Sequence, residues 1–180
     1  VSYLTNLEWL DLSDNNLTSL PEGIGNLTNL VGLKLQSNKL ISLEGIDKLT
    51  NLKGLNLENN QLTTLPEGIS NLPNLKLLHL HNNNLTTIEG LGIENLTNLE
   101  FLYLSNNKLT SLPEGISNLT NLERLFLENN QLTSLPKGIT NLTNLVKLEL
   151  NDNNLTTLPE GISNLTKLKW LELSDNELTS

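Results

Sequence analysis

Leu99-Glu100-Phe101-Leu102-Tyr103-Leu104-Ser105-Asn106-Asn107-Lys108-Leu109 decides how this chain is read. From Phe101 to Ser105 leucine alternates with other residues, so Leu102 and Leu104 point one way while Phe101, Tyr103 and Ser105 point the other, as a half-buried strand requires. The same wording, LxxLxLxxNxL, returns every 22 to 24 residues from Leu7, Leu30, Leu52, Leu75, Leu99, Leu122, Leu145 and Leu168. One strand per unit cannot bury its own leucines. Stacked copies bury them together, which predicts a parallel sheet over a continuous leucine core.

The ninth place of each unit holds Asn15, Asn38, Asn60, Asn83, Asn107, Asn130, Asn153 and Asn176. A turn inside the protein leaves backbone groups without water, and a carboxamide offers both donor and acceptor to satisfy them. This ladder is expected to be structural. Behind it, units such as those from Leu52, Leu99, Leu122 and Leu145 continue as LxxLPxGIxNL. Proline and glycine within five residues break strand and helix alike, so extended or short 3₁₀ segments are expected there. Units two and four depart from this wording, with Leu43-Glu44-Gly45-Ile46 and Ile88-Glu89-Gly90-Leu91-Gly92-Ile93. The longer fourth unit should bulge the side opposite the strands or shift the curvature.

These repeats resemble the leucine-rich repeat family over essentially the whole chain. The resemblance implies a repeat solenoid of α/β type, a horseshoe or arc. A parallel sheet would line its concave side and extended or 3₁₀ segments its convex side, with few or no α-helices. Residues 1–180 would form a single domain of about eight repeats. The chain starts partway through a unit, at Val1-Ser2-Tyr3-Leu4-Thr5-Asn6, and stops before the last outer segment. Both ends are therefore expected to be uncapped, as a segment of a longer array or a consensus-like design, with end-to-end self-association through exposed leucines. The LPxGI wording is similar to bacterial and archaeal repeat proteins, which gives a slight preference for a secreted or cell-surface bacterial setting. It is also similar to repeats attached to Roco-type GTPases.

Composition narrows the function. Eleven basic residues face twenty acidic ones, for a net charge of −9 and a pI near 4.6. Phosphate backbones reward clustered Lys and Arg, so nucleic acid is not an expected partner. Apolar runs are too short for membrane insertion. Cysteine is absent, which removes disulfides, thiolate metal sites and thiol nucleophiles.

In leucine-rich repeat proteins the outward residues of the sheet meet the ligand. Here the third places read Trp9, Gly32, Gly54, Leu77, Phe101, Arg124, Lys147 and Trp170. The fifth places read Asp11, Lys34, Asn56, His79, Tyr103, Phe126, Glu149 and Glu172, and the seventh Ser13, Gln36, Glu58, His81, Ser105, Glu128, Asn151 and Ser174. Five of the six aromatic residues and both histidines therefore fall on the side away from the leucines. Leu77, His79, His81, Phe101, Tyr103, Arg124 and Phe126 are expected to form one patch on three adjacent strands, with Trp9, Trp170 and Glu149 towards its margins. Aromatic residues and Arg are the side chains enriched at interface hot spots. The competing reading is that the rings support the sheet through cross-strand pairs of about 0.2–1 kcal/mol each. Gly32 and Gly54 should leave a trough beside the patch.

The expected function is thus a protein-interaction module for a protein or peptide ligand on the concave sheet. One alternative is a structural or regulatory segment of a larger effector, ligase or GTPase. Another is carbohydrate binding through the concave aromatics. No cofactor or resident metal is expected, although His79 and His81 share a face with Glu58 on the neighbouring strand and form a weak metal candidate. Nucleophile elbow and phosphate loop are both missing, so the chain is not expected to be an enzyme. Asn-Leu-Thr sequons, as at Asn26, Asn95 and Asn141, are by-products of the repeat wording.

Overall fold

A computed structural model describes residues 1–179. Eight strands form one parallel sheet in sequential order: β1 (Trp9–Asp11), β2 (Gly32–Lys34), β3 (Gly54–Asn56), β4 (Leu77–His79), β5 (Phe101–Tyr103), β6 (Arg124–Phe126), β7 (Lys147–Glu149) and β8 (Trp170–Glu172). Register is constant, third place on third and fifth on fifth, as in Gly54 on Leu77 and Tyr103 on Phe126. Opposite the sheet, the Pro- and Gly-bearing segments form short 3₁₀ turns from Ile24–Asn26 to Ile162–Asn164, and the described residues contain no α-helix. This is the expected repeat solenoid, with one strand in each of the eight units and one 3₁₀ turn in each of the first seven.

Between sheet and turns lies a single core of leucine and isoleucine. In the interior units almost every leucine of the motif is fully buried, Leu99, Leu102, Leu104 and Leu109 among them. Burying each such side chain is worth about 1.5–3 kcal/mol. Leu7, Leu10 and Leu12 in the first unit, and Leu168 and Leu173 in the last, are only partly covered.

The ninth-place asparagines do more than satisfy their own turns. Asn107 Nδ2 donates to the carbonyls of Leu104 (3.0 Å) and Ser105 (3.2 Å) in its own unit and of Leu80 (3.0 Å) in the unit before. Its Oδ1 accepts the N–H of Leu85, also in the preceding unit, at 3.0 Å. Six of these side chains, Asn38 to Asn153, are buried. Asn15 departs from the expectation. It is exposed and bonds only to Leu12 and Ser13, because the described chain has no preceding unit for it to reach.

A second asparagine ladder runs parallel to the first. The residue just before each leading leucine donates to the unit behind it: Asn29 to the Thr5 carbonyl, Asn51 to Thr28, Asn74 to Thr50, Asn98 to Pro73, Asn121 to Thr97 and Asn144 to Thr120, all at 2.7–2.9 Å. Lys167 replaces asparagine in the last unit and reaches Asn144 Oδ1 instead. At the eighth place, Asp14, Ser37, Asn59, Asn82, Asn106, Asn129, Asp152 and Asp175 all have φ of 52–56°. Asn and Asp tolerate this left-handed conformation better than other L-residues, and they fill seven of the eight sites.

The longer fourth unit keeps its strand in register, Leu77 opposite Phe101. Its added length is absorbed behind the sheet, where Gly90 and Gly92 take φ of 68° and 79° and leave Leu91 exposed. Glycine is the residue that enters this region without a steric penalty.

Candidate functional site

Strand parity places the third-, fifth- and seventh-place side chains on the sheet face, away from the leucine core, because the intervening Leu55, Leu78, Leu102 and Leu125 are buried. Constant register then brings like places side by side. At the fifth place His79, Tyr103 and Phe126 form a continuous stack, with centroids 4.2 Å and 4.4 Å apart and planes inclined by 7° at each step. His81 leans on this stack, 5.3 Å from His79 and 5.9 Å from Tyr103. At the third place the Arg124 guanidinium lies 5.4 Å from the Phe101 ring, and Lys147 Nζ lies 5.3 Å from the Phe126 ring. Phe101, Tyr103, Phe126, Leu77, His79 and His81 are half-buried, while Arg124 is exposed. Part of that shielding comes from the rings themselves, an arrangement worth about 0.5–1.5 kcal/mol per aromatic pair.

The other site candidates are placed differently. Trp9 and Trp170, 66% and 57% exposed, stand near opposite ends of the sheet. Glu149 is held by Lys147 on its own strand at 2.6 Å. Trp9 also changes the expected trough: a Cβ on Gly32 would collide with its indole ring, so the ring already fills that half. At Gly54 a Cβ would meet nothing within 4 Å, and a hollow of about 180 Å³ remains between Trp9, Leu77 and His79. Wider depressions, up to about 680 Å³, separate successive 3₁₀ turns and have polar linings such as Ser42, Asp47 and Glu67. They recur between turns and reflect the spacing of the stack.

Electrostatics vary along the face. Asp11 accepts hydrogen bonds from the Ser13 hydroxyl and N–H, which hold its carboxyl below the usual range, and Lys34 sits 3.5 Å away. His79 is pushed down to about 4, first by burial and then by the neighbouring His81, so its ring is neutral at neutral pH. His81 Nε2 lies 3.2 Å from Glu58 Oε1. Glu58, His79 and His81 are not arranged to hold a metal, and no group of three His, Asp or Glu among the described residues is. No helix among them is long and apolar enough to cross a membrane.

A family model described as a leucine-rich repeat region matches residues 88–180, and one described as leucine-rich repeats in two copies matches 5–48 and 50–95. A leucine-rich repeat protein of Leptospira interrogans is 37% identical at a TM-score of 0.85, over 99% of this chain and 52% of its own. The functional domain of InlJ from Listeria monocytogenes, which includes a cysteine ladder, is 29% identical at 0.85, over 98% and 37%. The internalin InlF of Listeria monocytogenes is 27% identical at 0.73, over 99% and 58%. The chain thus spans between about a third and three fifths of the length of these relatives. No curated protein matched the chain. Eight in-register repeats, asparagine ladders that join each unit to the last, and family models matching both halves lead to one conclusion: the chain belongs to the leucine-rich repeat family.

Proposed function

We propose that residues 1–180 are a single interaction domain that binds a protein or peptide on the outward face of its sheet. The site centres on Leu77, His79, His81, Phe101, Tyr103, Arg124 and Phe126, with Trp9, Trp170 and Glu149 at the margins. Leucine-rich repeat proteins are in general protein-interaction modules built on a scaffold without chemistry of its own. One observation carries the finer reading. The leucine core is complete without aromatic residues, yet all but one of the rings line the face that is free of leucine packing. Half-exposed rings with Arg beside them desolvate much area for few lost rotamers.

The stacking also favours a protein over a sugar. Sugars dock on free ring faces, and both faces of Tyr103 are taken, by His79 and Phe126. Edges remain for a partner to meet. The reading assigns the chain no catalytic step, and residues for one do not converge in a cleft.

Phe101→Ala tests the proposal most cleanly, because Phe101 has Arg124 over it but is not part of the ring stack. Loss of at least tenfold in affinity for a captured partner, with an unchanged melting temperature, is the expected result. A lower melting temperature with unchanged affinity assigns the ring to sheet support instead.

A further inference from the structure

The hollow over Gly54 has a sequence cause. Two successive third places lack side chains, and Trp9 covers only the first, so an unfilled gap is left between its ring and the Leu77–His79 wall. The lining is mostly apolar surface, although Lys34, Asn56 and His79 contribute to it, with the Lys34 ammonium paired to Asp11. Small-molecule sites run to roughly 300–1,000 Å³, and at about 180 Å³ this one has room for a single side chain rather than a free ligand. Next to it, along the seventh places, stands a row of acceptors. Glu58 has the His81 ring as its contact, and Gln36 Oε1 is buried without a hydrogen-bond partner, as is the Nδ1 of His79 in the hollow's own wall. Both buried atoms are closed to an arriving donor, whereas the Glu58 carboxylate, its side chain 30% exposed, can be reached by one.

Resting on the interaction reading above, we propose that the hollow over Gly54 receives one large apolar side chain of an extended polypeptide partner, with a Lys or Arg of that partner facing Glu58. The apolar side chain supplies desolvation, and the cation supplies orientation. Gly54 makes the idea testable, since a Cβ there meets nothing within 4 Å and a longer side chain would project into the hollow. The fold should accept it.

The experiment titrates three blocked tripeptide amides, Lys-Phe-Lys, Lys-Ala-Lys and Glu-Phe-Glu, into the labelled chain and follows amide and indole resonances. Lys-Phe-Lys should shift the Gly54 amide and the Trp9 indole with a dissociation constant on the order of 1 mM, as expected for a fragment of this size. Lys-Ala-Lys should bind at least tenfold more weakly and Glu-Phe-Glu at least threefold. Gly54→Leu should abolish the Lys-Phe-Lys shifts while resonances of β6 to β8 stay in place, and Trp9→Ala, which removes one wall, should weaken them at least threefold. Equal binding of Lys-Phe-Lys to the Gly54→Leu chain, or shifts that avoid Gly54, overturns the proposal. A partner that loses affinity on Phe101→Ala but not on Gly54→Leu sinks the hollow and keeps the interface. Shifts at Gly54 alongside a partner indifferent to Phe101→Ala keep the hollow and sink the interface centre.

Discussion

Replacing Asn107 by alanine removes four hydrogen bonds, two within its own unit and two to the unit before. The Leu104, Leu80 and Ser105 carbonyls each keep a second donor, Asn130 Nδ2, Asn83 Nδ2 and the Asn82 N–H, so the decisive loss is the Leu85 N–H, which has no other partner in the dry core. A buried donor left without a partner costs about 1–3 kcal/mol, and three carbonyls each lose one of their two donors, so the substitution should cost about 2–3 kcal/mol. At 2–4 °C per kcal/mol for a chain of this size, the melting temperature should fall by roughly 4–12 °C. Asn15→Ala is the internal control, with the same residue at the same place. It keeps only local bonds to Leu12 and Ser13 in an exposed turn, and should cost less than about 1 kcal/mol. Thermal melts of both variants, with hydrogen exchange at the Leu85 amide, make the comparison. If the two melt within 2 °C of each other, or Leu85 keeps its protection in Asn107→Ala, cross-unit bonding is not what the ladder contributes.

Gly54→Val should raise stability by about 0.4–1 kcal/mol by restricting the unfolded chain, whereas Gly32→Val must displace the Trp9 ring and should lower it; melts and Trp9 fluorescence in a Trp170→Phe background check both. His79 predicts a pH effect. Its folded pKa, about 4, lies below the unfolded 6.5, so its contribution is fully present above pH 6.5 and is lost as pH falls towards 4. The full shift corresponds to about 3 kcal/mol, which solvent screening at a half-exposed ring reduces to about 1–2 kcal/mol. Urea midpoints at pH 7 and 4.5 should therefore fall further for the wild type than for His79→Phe. Ser37 is the one eighth-place residue that is neither Asn nor Asp, at φ 56°, and Ser37→Asn should stabilise by about 0.5 kcal/mol in chemical denaturation.

Much of the fold was legible because the repeat states its physics eight times. Alternation around Leu102 and Leu104 gave the strand and its parity, and Pro113-Glu114-Gly115 gave the 3₁₀ side. The reach of Asn107 into the preceding unit was not legible, since the motif shows one unit at a time while the bonds join two. That is why Asn15 was expected to match its fellows and does not. The second ladder had a signal, asparagine before the leading leucine in seven units, but its spacing does not show that the side chain reaches the unit behind. The left-handed φ shared by Asp152 and Asp175 was likewise not legible, since the sequence shows the residue type at the eighth place but not the conformation that favours it. Within the candidate site, the ladders could be written down from the sequence. The stacking of Tyr103 between His79 and Phe126, and the fold of Trp9 over Gly32, depend on side-chain torsions that no spacing encodes. The stack also makes Tyr103 a poor probe of binding, because its removal breaks two ring contacts and lowers stability whatever the face does.

The sheet face as a binding surface is tested most directly by selecting displayed peptides on the wild-type chain and measuring their affinity for Phe101→Ala and for Ser134→Ala. Phe101 lies on that face, and Ser134 is exposed between β6 and the 3₁₀ turn that follows it. Peptides weakened at least tenfold by Phe101→Ala and unaffected by Ser134→Ala are the expected result. Peptides bound equally by both variants would contradict it.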